Sequence, residues 1–283
     1  MTEWHHHNPI KLLVPESMGI LISSTVGAGI FGLPFVFAQA GFLTGLLVLV
    51  VLALSNILIN LLIGEMSLST KEPEQLVGLG QKYLGSFGKI GTFITLGIGI
   101  YGALLAYLIG EGQVLSVLSG DGRPLLFSII FFIFAGVLVY LGLDFLRRAE
   151  LWLMGLIFMA AVIIVVVASP HLEVNNLMQF DWRKIFLAYG ATFFALLGGS
   201  AVPSMRKVLV GYEKHLKKAI IWGSVIPVIL YIVFTFIAVG VAGLQTTEIA
   251  TVGLGDLIGR SFLIVSNIFA ALVMGTSFLT LGV

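Results

Sequence analysis

The chain has 283 residues, of which 58% are hydrophobic and only 10% charged, with a formal net charge of +1 and no cysteine. An average soluble domain carries about 25% charged residues, so this composition excludes a soluble globular protein and describes an integral membrane one. The missing cysteines exclude a disulfide framework, a thiolate nucleophile and a thiolate metal site. The basic residues are dispersed between apolar segments, which excludes a nucleic-acid-binding patch.

Residues 1–16 form a polar, proline-punctuated cytoplasmic tail whose His5, His6 and His7 are read as incidental rather than as a metal site. No cleavable signal peptide is evident, because the first apolar run is too long for an h-region. Eight apolar runs follow, each near or above the roughly 20 residues that cross about 30 Å of hydrocarbon. Span 1 is expected over about Ser17 to Ala40, and Gly41 turns into span 2, about Phe42 to Ile63. A polar stretch, with Glu74 to Tyr83 as a candidate interfacial helix, leads to span 3, about Gly88 to Leu118. Span 4 is about Pro124 to Leu143 and span 5 about Leu151 to Ser169. The outer loop 170–184 precedes span 6, about Ile185 to Val208, and span 7, about Ala219 to Ala242. A long polar connection with Thr246, Thr247, Glu248 and Asp256 ends at span 8, about Ser261 to Val283. With the N-terminus inside, eleven Lys and Arg residues fall on inner segments and four (Arg123, Arg183, Lys184, Arg260) on outer ones, the bias of a multi-pass cytoplasmic-membrane protein. Glu65 and Asp144 fall near inner span ends, where an interfacial carboxylate is ordinary.

Span 1 contains Ser23 to Pro34, a run that lipid should not tolerate. Three glycines and a proline weaken a helix there by about 6 kcal/mol, and a break at membrane depth survives only where it is covered by protein or lines a cavity. Gly27-Ala28-Gly29-Ile30-Phe31-Gly32 spells a dinucleotide-binding G-x-G-x-x-G. That fingerprint needs a preceding strand, a following helix and an acid about 20 residues on, whereas the residues from Gly41 to Gly64 are uncharged. Span 6 carries the counterpart, Leu197-Gly198-Gly199-Ser200-Ala201-Val202-Pro203, in which Gly198 and Pro203 are spaced as Gly29 and Pro34 are. Interrupted helices at matching places in two halves mark the binding site of transporters built from inverted repeats; close helix packing is the competing reading of the same glycines. The expected organisation is a first five-span repeat over 17–169 and an incomplete second one over 185–283, so the chain reads as C-terminally truncated.

These residues resemble the amino acid/auxin permease superfamily, and most closely the bacterial tyrosine and tryptophan permeases of LeuT-like fold. Thr25 to Pro34 is similar to their opening signature, Phe194 with Gly198 and Val202-Pro203-Ser204-Met205 to their span 6 segment, and Thr276-Ser277-Phe278-Leu279 to a span 8 motif. Their span 6 histidine is replaced here by Gly199 or Ser200. The resemblance implies an all-α LeuT-like inverted repeat with discontinuous helices 1 and 6, and secondary active transport of a neutral, aromatic or large apolar amino acid, with a sensor or channel on the same fold as the alternative.

A zwitterion needs donors for its carboxylate and acceptors for its ammonium, and half-helix ends supply both. Gly27, Ala28 and Gly29 are assigned to the carboxylate, and carbonyls around Phe194, Ala195 and Gly198 to the ammonium. Gly198 and Gly199 are expected to leave room for the substrate side chain, Phe31 and Phe194 to wall it, and Val26, Ile30 and Ser200 to complete the lining. Tyr107 and Glu111 share one face of span 3; the resemblance sends the tyrosine to the substrate carboxylate, while Glu111 is either a structural partner or a coupling group. The resemblance further implies one candidate sodium site, from Ser23, Val26, Thr276 and Ser277. A second sodium position lacks its asparagine, since Ile30 stands there, and span 5 has no lysine of the kind some proton-coupled relatives use, so sodium and protons both stay open. No cofactor, nucleic acid or obligatory protein partner is expected beyond the amino acid and the bilayer. An intramembrane enzyme is excluded because every histidine lies outside the spans and no H-E-x-x-H occurs.

Overall fold

The computed structural model describes residues 10–141 and 144–282; His5 to His7 and the side chain of Asp144 lie outside the described residues. Every regular element described is helical: α1 (Ile10–Thr25), α2 (Gly29–Ala40), α3 (Phe42–Leu68), α4 (Leu76–Ser119), α5 (Pro124–Tyr140), α6 (Asp144–Ala168), α7 (Ile185–Ala195), α8 (Val202–Val208), α9 (Leu216–Ala242), α10 (Ala250–Ile258) and α11 (Arg260–Gly282). Lipid offers no hydrogen-bond partner, so apolar runs of this length satisfy their amides internally and become helices. Five stretches are long and apolar enough to cross a membrane, and a pair bent by 52°, Leu12–Thr25 with Gly29–Ala40, makes a sixth. Two of the eight expected spans, the fourth and fifth, are represented by the shorter apolar helices Pro124–Tyr140 and Ile157–His171. The chain is a multi-pass membrane protein.

Three boundaries differ from the sequence expectation, each for a packing reason. The first helix begins at Ile10, inside the expected tail and through Pro15, because Leu13 and Val14 pack against a cluster formed by Val202, Met205, Leu209, Leu216 and Ile220. The candidate interfacial helix is continuous with span 3 as α4, kinked at Gly85, whose φ of 66° favours glycine. The polar connection before span 8 contains α10. Its Thr251 is buried, donating to Asn267 Oδ1 at 3.3 Å while its carbonyl accepts from Ser266 at 3.2 Å, so polar residues that read as a loop are paired with α11 instead.

Two sets of helices emerge from the contacts. α9 packs on α1, α2 and α3, and α7 and α8 join the same set; α4 packs on α5 and α11, and α11 on α10. α6 touches both through α9 and α11. The largest buried aromatics knit the first set to the second: Phe31 meets Phe234 edge-on at 6.0 Å and Phe269 at 5.6 Å.

Arg206 of α8, 6% exposed, fastens the end of α3. Its guanidinium donates to the Ser67 carbonyl, to Thr70 Oγ1 at 2.6 Å, to Thr70 O at 2.9 Å and to Glu72 O at 3.2 Å. These oxygens include the orphan carbonyls of a helix C-terminus, where a cation is also favoured by the helix dipole. Arg206→Met is expected to lower unfolding stability by about 3 kcal/mol, since it leaves buried acceptors unpaired. Reversible denaturant unfolding in mixed micelles measures this, and an unchanged midpoint would refute the clamp.

Candidate functional site: the meeting of two broken helices

The first break spans Val26, Gly27 and Ala28, between α1 and α2, while Gly32 and Pro34 lie inside α2. The second runs from Leu196 to Ala201, and Pro203 sits in the first turn of α8, where its missing N–H costs nothing. The breaks touch each other through their glycines. A methyl group built on Gly29 would lie 2.6 Å from Ala195 Cβ and 2.7 Å from its Cα, and one on Gly198 would collide with Thr25 Oγ1. On the other sides, one on Gly27 would lie 2.9 Å from the ring of Tyr107, and one on Gly199 2.8 Å from Asn60 Oδ1 and 3.3 Å from Ile63. The room expected at Gly198 and Gly199 is therefore filled, in this conformation, by Thr25, Leu21, Asn60 and Ile63; close packing and the binding assignment both use these glycines.

The freed carbonyls are accounted for one by one. The Tyr231 hydroxyl, 0% exposed, lies 2.7 Å from Thr25 O and 2.9 Å from Ala195 O, so a single O–H serves the last carbonyls of both α1 and α7. Ser277 donates to Val26 O at 3.1 Å, and Asn56 Nδ2 to Leu196 O at 3.0 Å. Of the carbonyls assigned to an ammonium, Phe194 O accepts from Leu197 N at 3.2 Å, Gly198 O from Ala201 N at 3.0 Å, and Ala195 O holds Tyr231. Each retains one lone pair. The amides of Gly27, Ala28 and Gly29 stand instead at the open N-terminal end of α2, where no carbonyl of that helix precedes them. The place where the helices meet is rich in donors and poor in free acceptors.

Tyr107 is buried beside Gly27 and pairs with Ser277, which brings three of the assigned residues together with Val26. The candidate sodium set is only half assembled. Thr276 donates to its own helix, at 2.7 Å to Leu272 O and 3.0 Å to Val273 O, and Ser23 to Ile20 O at 3.2 Å. Phe31 is committed to the aromatic core, Ile30 and Val26 are buried, Phe194 is half-buried and Ser200 is exposed. Glu65 is exposed near the end of α3. A cavity of about 550 Å³ opens at the Ser119 end of α4, lined by Phe35, Gln113, Ser116, Thr246, Glu248 and Ile249 among others.

Sequence reasoning passed over Tyr231, Asn56 and Asn60. The signal was present: the one tyrosine of span 7 and two amides at i, i+4 in span 2 require partners at membrane depth.

Tyr231→Phe is expected to cost about 1–2 kcal/mol by leaving two buried carbonyls unpaired. Gly29→Ala is expected to cost about 1–3 kcal/mol by overpacking, while Gly32→Ala, with nothing within 4 Å of the added methyl, should gain up to about 1 kcal/mol of helix propensity. Unfolding midpoints of the three variants decide this, and equal effects at Gly29 and Gly32 would refute the close contact of the breaks.

Residues 13–283 match the tryptophan/tyrosine permease family. The chain is 25% identical over 279 residues to glutamine transporter 2 of Aliivibrio fischeri, covering 92% of this chain and 70% of that protein. It is 26% identical over 286 residues to tyrosine-specific transport system 1 of Haemophilus influenzae, covering 93% and 70%, and 29% identical over 238 residues to tyrosine-specific transport system 2 of the same organism, covering 78% and 57%. With all but its first twelve residues inside the match, the chain belongs to the tryptophan/tyrosine permease family, a family of transporters rather than enzymes.

Proposed function

We propose that the chain is a secondary active transporter that carries a neutral amino acid across the cytoplasmic membrane by alternating access, with its N-terminus inside and with sodium or protons as the coupling ion. The observation that carries this reading is the donor-rich meeting point of the two broken helices, where the first α2 amides have no helix carbonyl to pair with while the neighbouring carbonyls are already capped. Such a half-helix N-terminus receives an anion, and the α-carboxylate of an amino acid is the anion that fits. A glutamine transporter and two tyrosine-specific systems among the relatives differ in side chain but share that zwitterionic backbone. The two matched breaks support a LeuT-like inverted repeat, with eight spans, as the frame of the cycle.

The roles follow from position. Gly27, Ala28 and Gly29 hold the carboxylate, the Tyr107 hydroxyl supplies a further donor beside them, and the second lone pairs of the Phe194, Ala195 and Gly198 carbonyls accept from the ammonium. The half-buried Phe194 lies against an apolar side chain, which favours tyrosine, tryptophan or leucine. If sodium is the coupling ion, Ser277 Oγ and Val26 O are the pair around which Thr276 and Ser23 close in another state of the cycle.

The test is uptake of labelled tyrosine, tryptophan, leucine and glutamine into proteoliposomes with sodium and proton gradients imposed separately. At least one amino acid is expected to accumulate under one gradient, and Tyr107→Phe is expected to weaken its binding by about tenfold or more, the loss of one charge-assisted hydrogen bond. Binding without accumulation under either gradient would replace transport by a sensor, and absence of binding would refute both.

A further inference from the structure

The connection between α8 and α9 concentrates positive charge. Residues 207–218 hold Lys207, Lys214, Lys217 and Lys218 against one acid, Glu213, so with His215 neutral four lysines less one glutamate leave a formal charge of +3. All four lysines are exposed. None forms an ion pair among the described residues, whose one salt bridge joins Arg123 to Asp121 elsewhere. The acids on the neighbouring elements, Glu16 of α1, Glu65 near the end of α3 and Glu72 just beyond it, are exposed and outside ion-pair distance of these lysines. A helix start is also an unfavourable place for cations. α9 has no acidic residue in its first turn and no side-chain cap, so the positive end of its dipole is uncompensated, and Lys217 and Lys218 add to it within that turn.

The turn is held from inside. Tyr212 packs against the cluster that contains Leu209, Leu216, Ala219 and Ile220, and the same cluster takes Leu13 and Val14 of α1. The lysines therefore project from a packed base, at the end of the molecule where α1 begins.

Depth along α9 identifies what surrounds them. Lys218, Trp222, Ile229, Val233 and Phe236 are exposed and follow one another at steps of four, seven, four and three residues, the spacing of one helical face. The apolar members of that face border lipid. From Trp222 to Ala242 the helix is about 30 Å long at about 1.5 Å per residue, the thickness of the hydrocarbon core. Lys218 and Lys217 then stand about 6 and 7.5 Å beyond its edge, within the headgroup layer of about 5–7.5 Å on each side. We propose that the α8–α9 turn binds the phosphate groups of acidic phospholipids, with Lys214, Lys217 and Lys218 as donors and Trp222 seated at the hydrocarbon edge beneath them. Each ammonium offers three donors and no acceptor, so it takes an anion. A zwitterionic headgroup brings a cation of its own, which the clustered lysines repel, whereas an acidic one adds negative charge where the turn and the α9 dipole lack it. This site is independent of what the chain carries.

Trp222 serves as the reporter. With Trp4→Phe, Trp152→Phe and Trp182→Phe it is the sole tryptophan of the full chain, and in bilayers of mixed phosphatidylcholine and phosphatidylglycerol, bromine on the acyl chains of one lipid at a time quenches it according to how often that lipid is adjacent. One lysine at an anionic surface contributes about fivefold, so phosphatidylglycerol is expected to be over-represented beside Trp222 by at least about fivefold. Joint replacement by Lys214→Gln, Lys217→Gln and Lys218→Gln should bring the two lipids close to parity, and arginine at the same three positions should keep the preference. Lys82→Gln with Lys89→Gln, on α4, should leave it unchanged. Equal quenching by the two lipids in the chain with its lysines would overturn the proposal, a comparison that holds even where the glutamine variant fails to insert. An undiminished preference in the glutamine variant would overturn it too, as would an equal loss on removing Lys82 and Lys89, which would make the preference a matter of net charge rather than of this turn.

Discussion

A backbone carbonyl at membrane depth must be paired, and the arrangement of this chain depends on how four of them are. Breaking two helices exposes Thr25, Val26, Ala195 and Leu196, and each of their oxygens is met by a side chain from a helix that runs unbroken: Tyr231 from α9, Ser277 from α11 and Asn56 from α3. Without them each carbonyl would cost several kcal/mol in an apolar surrounding. The capping is selective. Carbonyl ends are covered and the N-terminal amides of α2 are not, so the meeting point keeps an excess of donors, the feature on which the proposed carboxylate site rests.

The same contacts divide into those inside one helix set and those that cross between sets. Tyr231 joins α1, α7 and α9, which pack together, so the two broken helices are held as a unit. The bond from Ser277 to Val26 and the approach of Tyr107 to Gly27 cross to α11 and α4. A movement of one set against the other would keep the Tyr231 bridge; at the breaks themselves it would give up a neutral hydrogen bond and a van der Waals contact, together about 1–2 kcal/mol, in addition to the Phe31–Phe269 ring contact. The part lost at the breaks is small, and it lies beside the α2 amides on which the proposed carboxylate site rests.

The sequence pattern made both breaks legible because glycine and proline are expensive in a lipid-facing helix, and because the two breaks recur at one spacing. It located them less well. Pro34 is carried inside α2, and the break settles where Gly27 lets Tyr107 approach, a contact between residues eighty positions apart that no local rule reports. Likewise the resemblance assigns Thr276 to a candidate ion site, while in this conformation its hydroxyl takes the helix carbonyls three and four residues back, a pairing the motif alone does not report. α10 was hidden because its glycines and polar residues read as a loop, while their partners lie on α11. What one residue type costs in lipid could be read from the chain; which distant residue offsets that cost could not.

Arg206 and Glu111 show why a membrane interior treats the two signs of charge differently. A guanidinium stays charged at any accessible pH, so it is tolerated only where oxygens surround it, and the end of α3 provides them in a geometry that has to stay intact. A carboxyl has a neutral form that an apolar place accepts and a charged form that it rejects. The first residue therefore fixes a contact, and the second can report on one. Glu111 lies one turn along α4 from Tyr107, at a close contact between α4 and α11 in which its carboxyl approaches Gly275. Opening that contact to water and charging that carboxyl therefore favour each other, whereas the guanidinium holds its contact in either case.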